Sequence, residues 1–391
     1  MKTTAKRNRP IKIAITNIYA AGCYTAPIYV GSHKTPINAF LDTGSSSLAV
    51  DKKPYNPNMD KFMAPTNLAQ YVTYEDGSGW KGAVIRTCVA VEHFREKRRL
   101  DNVYISVADQ QKDIFVDQMQ GILGLAYIEL NCAYDFGRPT WPSFDHRRIE
   151  EKPAIDIEPY FDQLEKSGTT PNKFSFYTPR SEIRYGKRAI AKDPWNSGYL
   201  VLGGGEEYIS LYKGNFKTVK VLHDLYFNTN IKSIRVGPGK PIAIAPPTKN
   251  SGLNSNSIVD SGTNTICFPG WLYKKLLRQF QVLNSDFSAA IRQSVSYDDV
   301  KLSERAIKKW PKIYLIMEGV SGDVELTIRP QSYWQANYTK DGVTGFAIDC
   351  QEENQTILGL PFMNNYYCIF DRSRNDGTGV IRFAGPRLPK S

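Results

Sequence analysis

Two short stretches place a carboxylate directly after an apolar run and follow it with a small hydroxyl residue and glycine: Asp42-Thr43-Gly44-Ser45 and Asp260-Ser261-Gly262-Thr263. Such a carboxylate can sit in a tight loop held by backbone N–H groups and hydroxyls, with glycine letting the chain pass close by. Two loops of this kind brought together would set two carboxylates within hydrogen-bond reach. Close carboxylates cannot both ionise cheaply, so they share one proton and titrate as a coupled pair. That suits hydrolysis of a peptide bond. The ionised partner takes a proton from a water held between them while the protonated partner polarises the carbonyl, with no covalent intermediate and no metal.

The elements that must position these residues are repeated too. Ala39-Phe40-Leu41 leads into Asp42 and Ile258-Val259 into Asp260; roughly 80 to 100 residues later come Ile122-Leu123-Gly124 and Ile357-Leu358-Gly359. This internal repeat decides the architecture: each half carries one such loop and its later apolar-apolar-Gly partner. Short runs rich in β-branched and aromatic residues, such as IKIAITNI, APIYVG and PKIYLIMEG, predict strands nearly throughout. Helical spacing is confined mainly to residues 159–166 and 269–280. Pro-rich, polar segments at 131–158 and 240–256 read as surface loops, the second as a linker. The expected organisation is a short basic segment (1–12), a first lobe with the start of the interlobe region (13–239), the linker (240–256) and a second lobe (257–391).

With AFLDTGSSSLAV, VTYEDGSGWKG, DQMQGILGLAY, SIVDSGTNTICFP and TILGLPFMNNYYCIFDRSRNDGTGVIRFA in this order, the chain resembles the pepsin-like aspartic proteases from about residue 13 to 384. In its short head it is closest in character to bacterial members without leader or pro-segment. The resemblance implies an all-β, bilobal fold with the active-site cleft between lobes. It implies an aspartic endopeptidase that cuts extended peptides between bulky apolar residues in an acid-leaning pH range. The alternative is a catalytically silent binding or inhibitor protein on the same scaffold, against which the intact motif residues speak. Carried over residue by residue, Asp42 and Asp260 are the catalytic pair, braced by Thr43 and Ser261, with Gly44 and Gly262 at close-approach positions. Ser45 and Thr263 donate to the outer carboxylate oxygens. Tyr74 is the flap tyrosine, with Gly77 and Ser78 at the flap tip. Family members commonly carry Trp where this chain has Ala49, so Trp80 on the returning flap strand is expected to donate to the Tyr74 hydroxyl instead. Phe115, Met119 and Ile122 are expected to line the substrate pocket. No cofactor and no metal are implied; the partners are peptide or protein substrates and statine-type inhibitors, and the chain is expected to be a monomer.

Composition bounds the remaining classes. The 391 residues are 41% hydrophobic and 23% charged, with 29 Gly and 23 Pro, which is globular composition. The formal charge of +11 comes without basic-aromatic interleaving or zinc-finger spacing, so nucleic acid is not the expected partner. No run of about 18 apolar residues predicts a membrane-spanning helix. The six cysteines are scattered with no CxxC spacing and are expected to be free thiols. With no visible leader, a cytoplasmic location is expected, the alternative being secretion. The two Asp residues lie 218 apart, longer than is typical of the family, and residues 131–158 are the expected site of the extra length. The run Arg95 to Arg99 reads as a solvated hairpin tip, and Gly203-Gly204-Gly205 as a turn and not a phosphate loop.

Overall fold

Apolar and polar residues alternate along much of the chain, and the computed structural model, which describes residues 10–33, 35–74, 76–91, 99–116, 118–296 and 298–389, turns that period of two into strands. In Ile11–Ala20, Ile11, Ile13 and Ile15 face inward while Lys12, Ala14 and Thr16 are more accessible.

Fifteen strands form one sheet that joins both ends of the chain. Ile11–Ala20 pairs with Ser197–Leu202, followed in order by Lys173–Tyr177, Tyr367–Asp371, Val380–Pro386 and Tyr212–Lys220. Beneath this shared region lies an aromatic cluster: Phe174 stacks on Phe370 with ring centres 4.9 Å apart, and Phe227 meets Phe370 at 4.7 Å. Tyr127, from the first half, donates to the Thr378 carbonyl of the second at 2.6 Å.

The two Asp-bearing strands sit in equivalent surroundings. Ile37–Asp42 runs parallel to Gly121–Gly124, with Asp42 opposite Gly124, and Leu48–Asp51 returns antiparallel on the other side of Gly121–Gly124. Ser257–Val259 likewise runs parallel to Thr356–Leu358, and Ile266–Pro269 returns antiparallel to it. The apolar-apolar-Gly signal has a steric cause in both halves. A Cβ on Gly124 would stand 2.5 Å from the Ser46 backbone, and one on Gly359 would collide with the carbonyls of Thr263 and Thr265.

Both expected helices form, at Tyr160–Lys166 and Gly270–Leu283, the latter burying Leu272, Leu276 and Phe280 at four-residue spacing. A third, Ser285–Val295, was not expected; only Phe287 and Ile291 mark its apolar face strongly, while Asn284 caps it by accepting from Asp286 N–H at 2.9 Å. Residues 131–158 are more ordered than a loop. Cys132–Asp135 pairs with Ala64–Thr73, and Ala154–Asp156 pairs with Cys132–Asp135, so the excursion extends the sheet beyond the flap strand. Residues 240–256 hold a short strand, Ile242–Ala243, which pairs with Ile231–Val236 inside a four-stranded sheet. Because Asn228–Thr229 also pairs with Ser257–Val259, the strand pairing of the second half begins before residue 240. Residues 92–98 of the expected hairpin tip lie outside the described residues; Arg99 opens the strand Arg99–Lys112.

Candidate active site

Each Asp ends a strand at a tight loop, and the two loops are laced together by matching bonds. Ser261 Oγ accepts from Thr43 N–H at 3.1 Å, and Thr43 Oγ1 accepts from Ser261 N–H at 2.8 Å. The same hydroxyls donate across the interface, Thr43 to the Val259 carbonyl at 3.0 Å and Ser261 to the Leu41 carbonyl at 2.9 Å. Four buried bonds thus fix the carboxylates relative to each other, and every donor and acceptor involved is satisfied.

The carboxylates are held alike. Asp42 Oδ1 accepts from Gly44 N–H at 2.7 Å and Oδ2 from Ser45 Oγ at 2.5 Å; Asp260 Oδ1 accepts from Gly262 N–H at 2.8 Å and Oδ2 from Thr263 Oγ1 at 2.6 Å. The glycines are obligatory because each loop approaches the opposite carboxylate: a Cβ on Gly44 would stand 2.9 Å from Asp260 Oδ1, and one on Gly262 would collide with Asp42 Oδ1. Asp42 is 4% exposed and Asp260 8%. Burial, then the neighbouring Asp260 carboxylate, holds the Asp42 carboxyl well above the usual carboxylate range, while its bonds from Ser45 and Gly44 pull the other way. The pair therefore retains a shared proton at pH values where an isolated Asp has lost its own.

Tyr74 closes the flap strand Ala64–Thr73, where Gly77 adopts φ +77° and Tyr74 N–H donates to the Ser78 carbonyl at 2.9 Å. Burial and Asp42 push its hydroxyl pKa up. The expected bond from Trp80 is not formed. Trp80 Nε1 and Ser45 Oγ lie near enough to favour the ionised phenol, yet neither contact has hydrogen-bond geometry, and Tyr74 Oη and Trp80 Nε1 are both buried without a partner among the described residues. Trp80 lies directly opposite Val72, so Tyr74 is its diagonal neighbour across the hairpin.

Phe115, Met119 and Ile122 join the main core at 7%, 9% and 1% exposure, so Ile122 is sealed and only the first two keep some accessible surface. Two supporting residues went unnoticed in the sequence. Gln70 on the flap strand donates to Asn131 Oδ1 at 2.8 Å and to Ser47 Oγ at 3.3 Å, tying flap, first loop and the 131–158 excursion together. Neither Gln70 nor Asn131 carries a local motif. Among the described residues no cluster of His, Cys, Asp and Glu is suited to a metal, and no helix is long and apolar enough to cross a membrane. The six cysteines are free.

The sequence profile described as eukaryotic aspartyl protease matches residues 23–381. The chain belongs to this family. It is 23% identical over 359 residues to plasmepsin IV of Plasmodium falciparum (isolate 3D7), which covers 88% of this chain and 65% of that protein. It is 23% identical to pepsin A of Gallus gallus over 91% of this chain and 83% of that protein, and 24% identical to pepsin II-1 of Oryctolagus cuniculus over 90% and 79%. The chain thus spans just under two thirds of plasmepsin IV. The mainly β, pepsin-like fold follows from this membership as well as from the strand topology.

Proposed function

We propose that the chain is an active aspartic endopeptidase with Asp42 and Asp260 as its catalytic pair. The observation that carries this reading is the reciprocal Thr43–Ser261 bonding, which holds two equally cradled carboxylates against each other's glycine loops. Rigid placement of the acid and the base supplies the proximity that general acid–base chemistry needs. The ionised member takes a proton from a water, whose oxygen bonds to the peptide carbonyl carbon. The protonated member gives its proton to the carbonyl oxygen. The resulting diol collapses as the C–N bond breaks: the member that took the water proton gives it to the leaving nitrogen, while the other, now ionised, takes a proton from a diol hydroxyl, whose oxygen becomes the carbonyl of the new acid. The bonds from Gly44, Ser45, Gly262 and Thr263 stabilise whichever carboxylate is charged at each step.

Tyr74, Gly77 and Ser78 would cover an extended peptide, and the unpartnered Tyr74 Oη and Trp80 Nε1 are buried donors that could donate to its carbonyls. Phe115 and Met119, with Ile122 behind them, support a preference for bulky apolar side chains beside the cut bond. Acid-leaning pH follows from the need for one shared proton, with the rate falling as that proton is lost. A monomer, binding by statine-type inhibitors, and a reducing compartment, which the six free cysteines support, complete the reading. The test is hydrolysis of a denatured protein by the purified chain across acid and neutral pH, with and without a statine-type inhibitor. Inhibitor-sensitive cleavage between apolar residues is expected; no cleavage at any pH would sink the proposal.

A further inference from the structure

A third carboxylate stands against the second loop. Glu182 lies in the segment between Lys173–Tyr177 and Ser197–Leu202, far from either Asp in sequence. Its backbone is fixed from several sides: Asn17 Nδ2 donates to the Ser181 and Glu182 carbonyls at 3.1 and 3.2 Å, and Arg180 Nε donates to the Glu182 carbonyl at 2.5 Å. Arg180 is held in turn, donating to the Ala336 carbonyl at 2.7 Å and accepting at its own carbonyl from Tyr24 Oη at 2.8 Å.

The side chain reaches the cleft loop. Glu182 Oε1 accepts from Asn264 Nδ2 at 3.0 Å, and Asn264 follows Thr263 in the stretch Gly262–Thr265, which is half-buried where the matching Ser46 and Ser47 are sealed. Oε2 rests over Gly22, where an added Cβ would stand 2.7 Å from it. The adjoining Cys23 thiol contacts the Gly262 carbonyl at 3.6 Å and has its pKa raised by burial first, then by Glu182, Asp260 and Asp42. The charge of all three carboxylates is thus felt at this one thiol.

Burying a carboxylate is costly unless its acceptor sites are filled. Asn264 is the one side-chain donor to Glu182 among the described residues, and no cation pairs with it there. The neighbouring Arg180 gives its Nε and Nη1 to carbonyls and keeps Nη2 buried without a hydrogen-bond partner among the described residues, so it acts on Glu182 through its charge and not through a bond, and Arg184 is paired with Asp193 at 2.9 Å. Burial pushes the Glu182 carboxyl up to about 7, with Arg180 pulling it down. A charged donor arriving from the cleft would fill the free acceptor sites.

We propose that Glu182 is a specificity-determining residue that receives a basic side chain, lysine or arginine, of the substrate at a position removed from the two flanking the cut bond. The inference rests on the chain being a peptidase. The overall charge of +11 repels a basic peptide at long range, so the preference is local, built by one acceptor and not by steering.

The test uses peptide pairs differing only in Lys or Gln at successive positions on either side of a cleaved bond, and statine-core inhibitors varied in the same way and measured by calorimetry. At one position Lys should be favoured on the order of tenfold in kcat/KM and in affinity at neutral pH, a charge-assisted hydrogen bond. The ratio should shrink in acid as Glu182 takes up a proton; titration of Asp42 and Asp260 is common to both peptides and cancels. Glu182→Gln should bring the neutral-pH ratio close to one. A Lys preference at no position, one unchanged by acid, or one surviving Glu182→Gln overturns the inference. If that variant does not fold, the pH dependence of the wild-type ratio decides. Cleavage of the Gln peptides without any Lys preference removes only the role of Glu182, whereas no cleavage and no inhibitor binding removes the peptidase reading and this inference together.

Discussion

The two catalytic-type loops give their carboxylates the same pair of bonds yet differ in what lies around them. The first is roofed and sealed: Ser46 donates to the Tyr127 carbonyl at 2.5 Å, Ser47 is tied to Gln70 of the flap strand, and Tyr74 lies above. The second is open, with Gly262 to Thr265 half-buried and Asn264 turned to Glu182. A duplicated cradle thus offers both carboxylates the same bonds, while the surroundings of the two loops differ. A base and an acid can be made from identical residues by environment alone.

The sharpest way to break this comparison is to remove one carboxylate at a time. Asp42→Asn and Asp260→Asn should each abolish turnover while leaving the fold intact, because the two steps of one proton shuttle need both groups. Either variant retaining more than about a hundredth of wild-type kcat, a loss below about 2.7 kcal/mol, would show that the halves are not equal partners.

The glycines opposite the loops test whether the halves are equally tight. Gly124→Ala meets the Ser46 backbone and Gly359→Ala meets the Thr263 and Thr265 carbonyls, and backbone can yield only by moving the loop. Each should cost about 2–3 kcal/mol by denaturant unfolding, from overpacking against atoms that cannot turn aside. Wild-type stability in either variant would mean that the loop has slack the contacts do not reveal.

These glycines also show why the site was legible in the sequence. Asp, small hydroxyl residue and Gly must stand together in each loop, and the apolar-Gly partner must follow in the neighbouring strand, so the constraint is written locally, twice. Glu182, Gln70 and Asn131 are different. Each acts through contacts 23 to 82 residues away in sequence, and any polar residue without a local motif looks the same before folding. The 131–158 excursion read as a loop because its strands are only three and four residues long, one of them following Pro153, too short to show alternation. The helix Ser285–Val295 escaped because Ser and Ala occupy positions where a strong apolar stripe would have announced it.

The burial of Asp42 also sets a pH dependence. The folded chain holds the Asp42 proton more tightly than the unfolded chain, so this group's stabilising contribution is complete below the unfolded value of about 4 and is lost as pH rises towards the folded value. Asp42→Asn, which cannot ionise, should therefore be more stable than wild type at neutral pH by at least about 1–2 kcal/mol and no more stable in strong acid. Thermal melts at the two pH values check the sign. An Asn variant equally less stable at both would place the proton elsewhere.

The smallest expected effect concerns the flap, the element that one loop has and the other lacks. Tyr74 Oη and Trp80 Nε1 are buried close together but unbonded, so removing either polar atom breaks no hydrogen bond in the free chain. Tyr74→Phe, which removes only the hydroxyl, should leave its melting temperature almost unchanged, the small rise gained by not burying a lone polar atom being at most a few degrees, whereas Trp80→Phe also takes ring volume out of the core and should lower it. Their effect should appear only when a peptide lies beneath the flap. If the bound peptide brings the hydroxyl and the indole N–H into one network, each substitution should lower kcat/KM by about 1 kcal/mol, roughly fivefold, and the double variant by little more. Fully additive losses would mean that the two groups serve the substrate separately, and a marked fall in melting temperature for Tyr74→Phe would mean that a bond already holds the flap before substrate arrives.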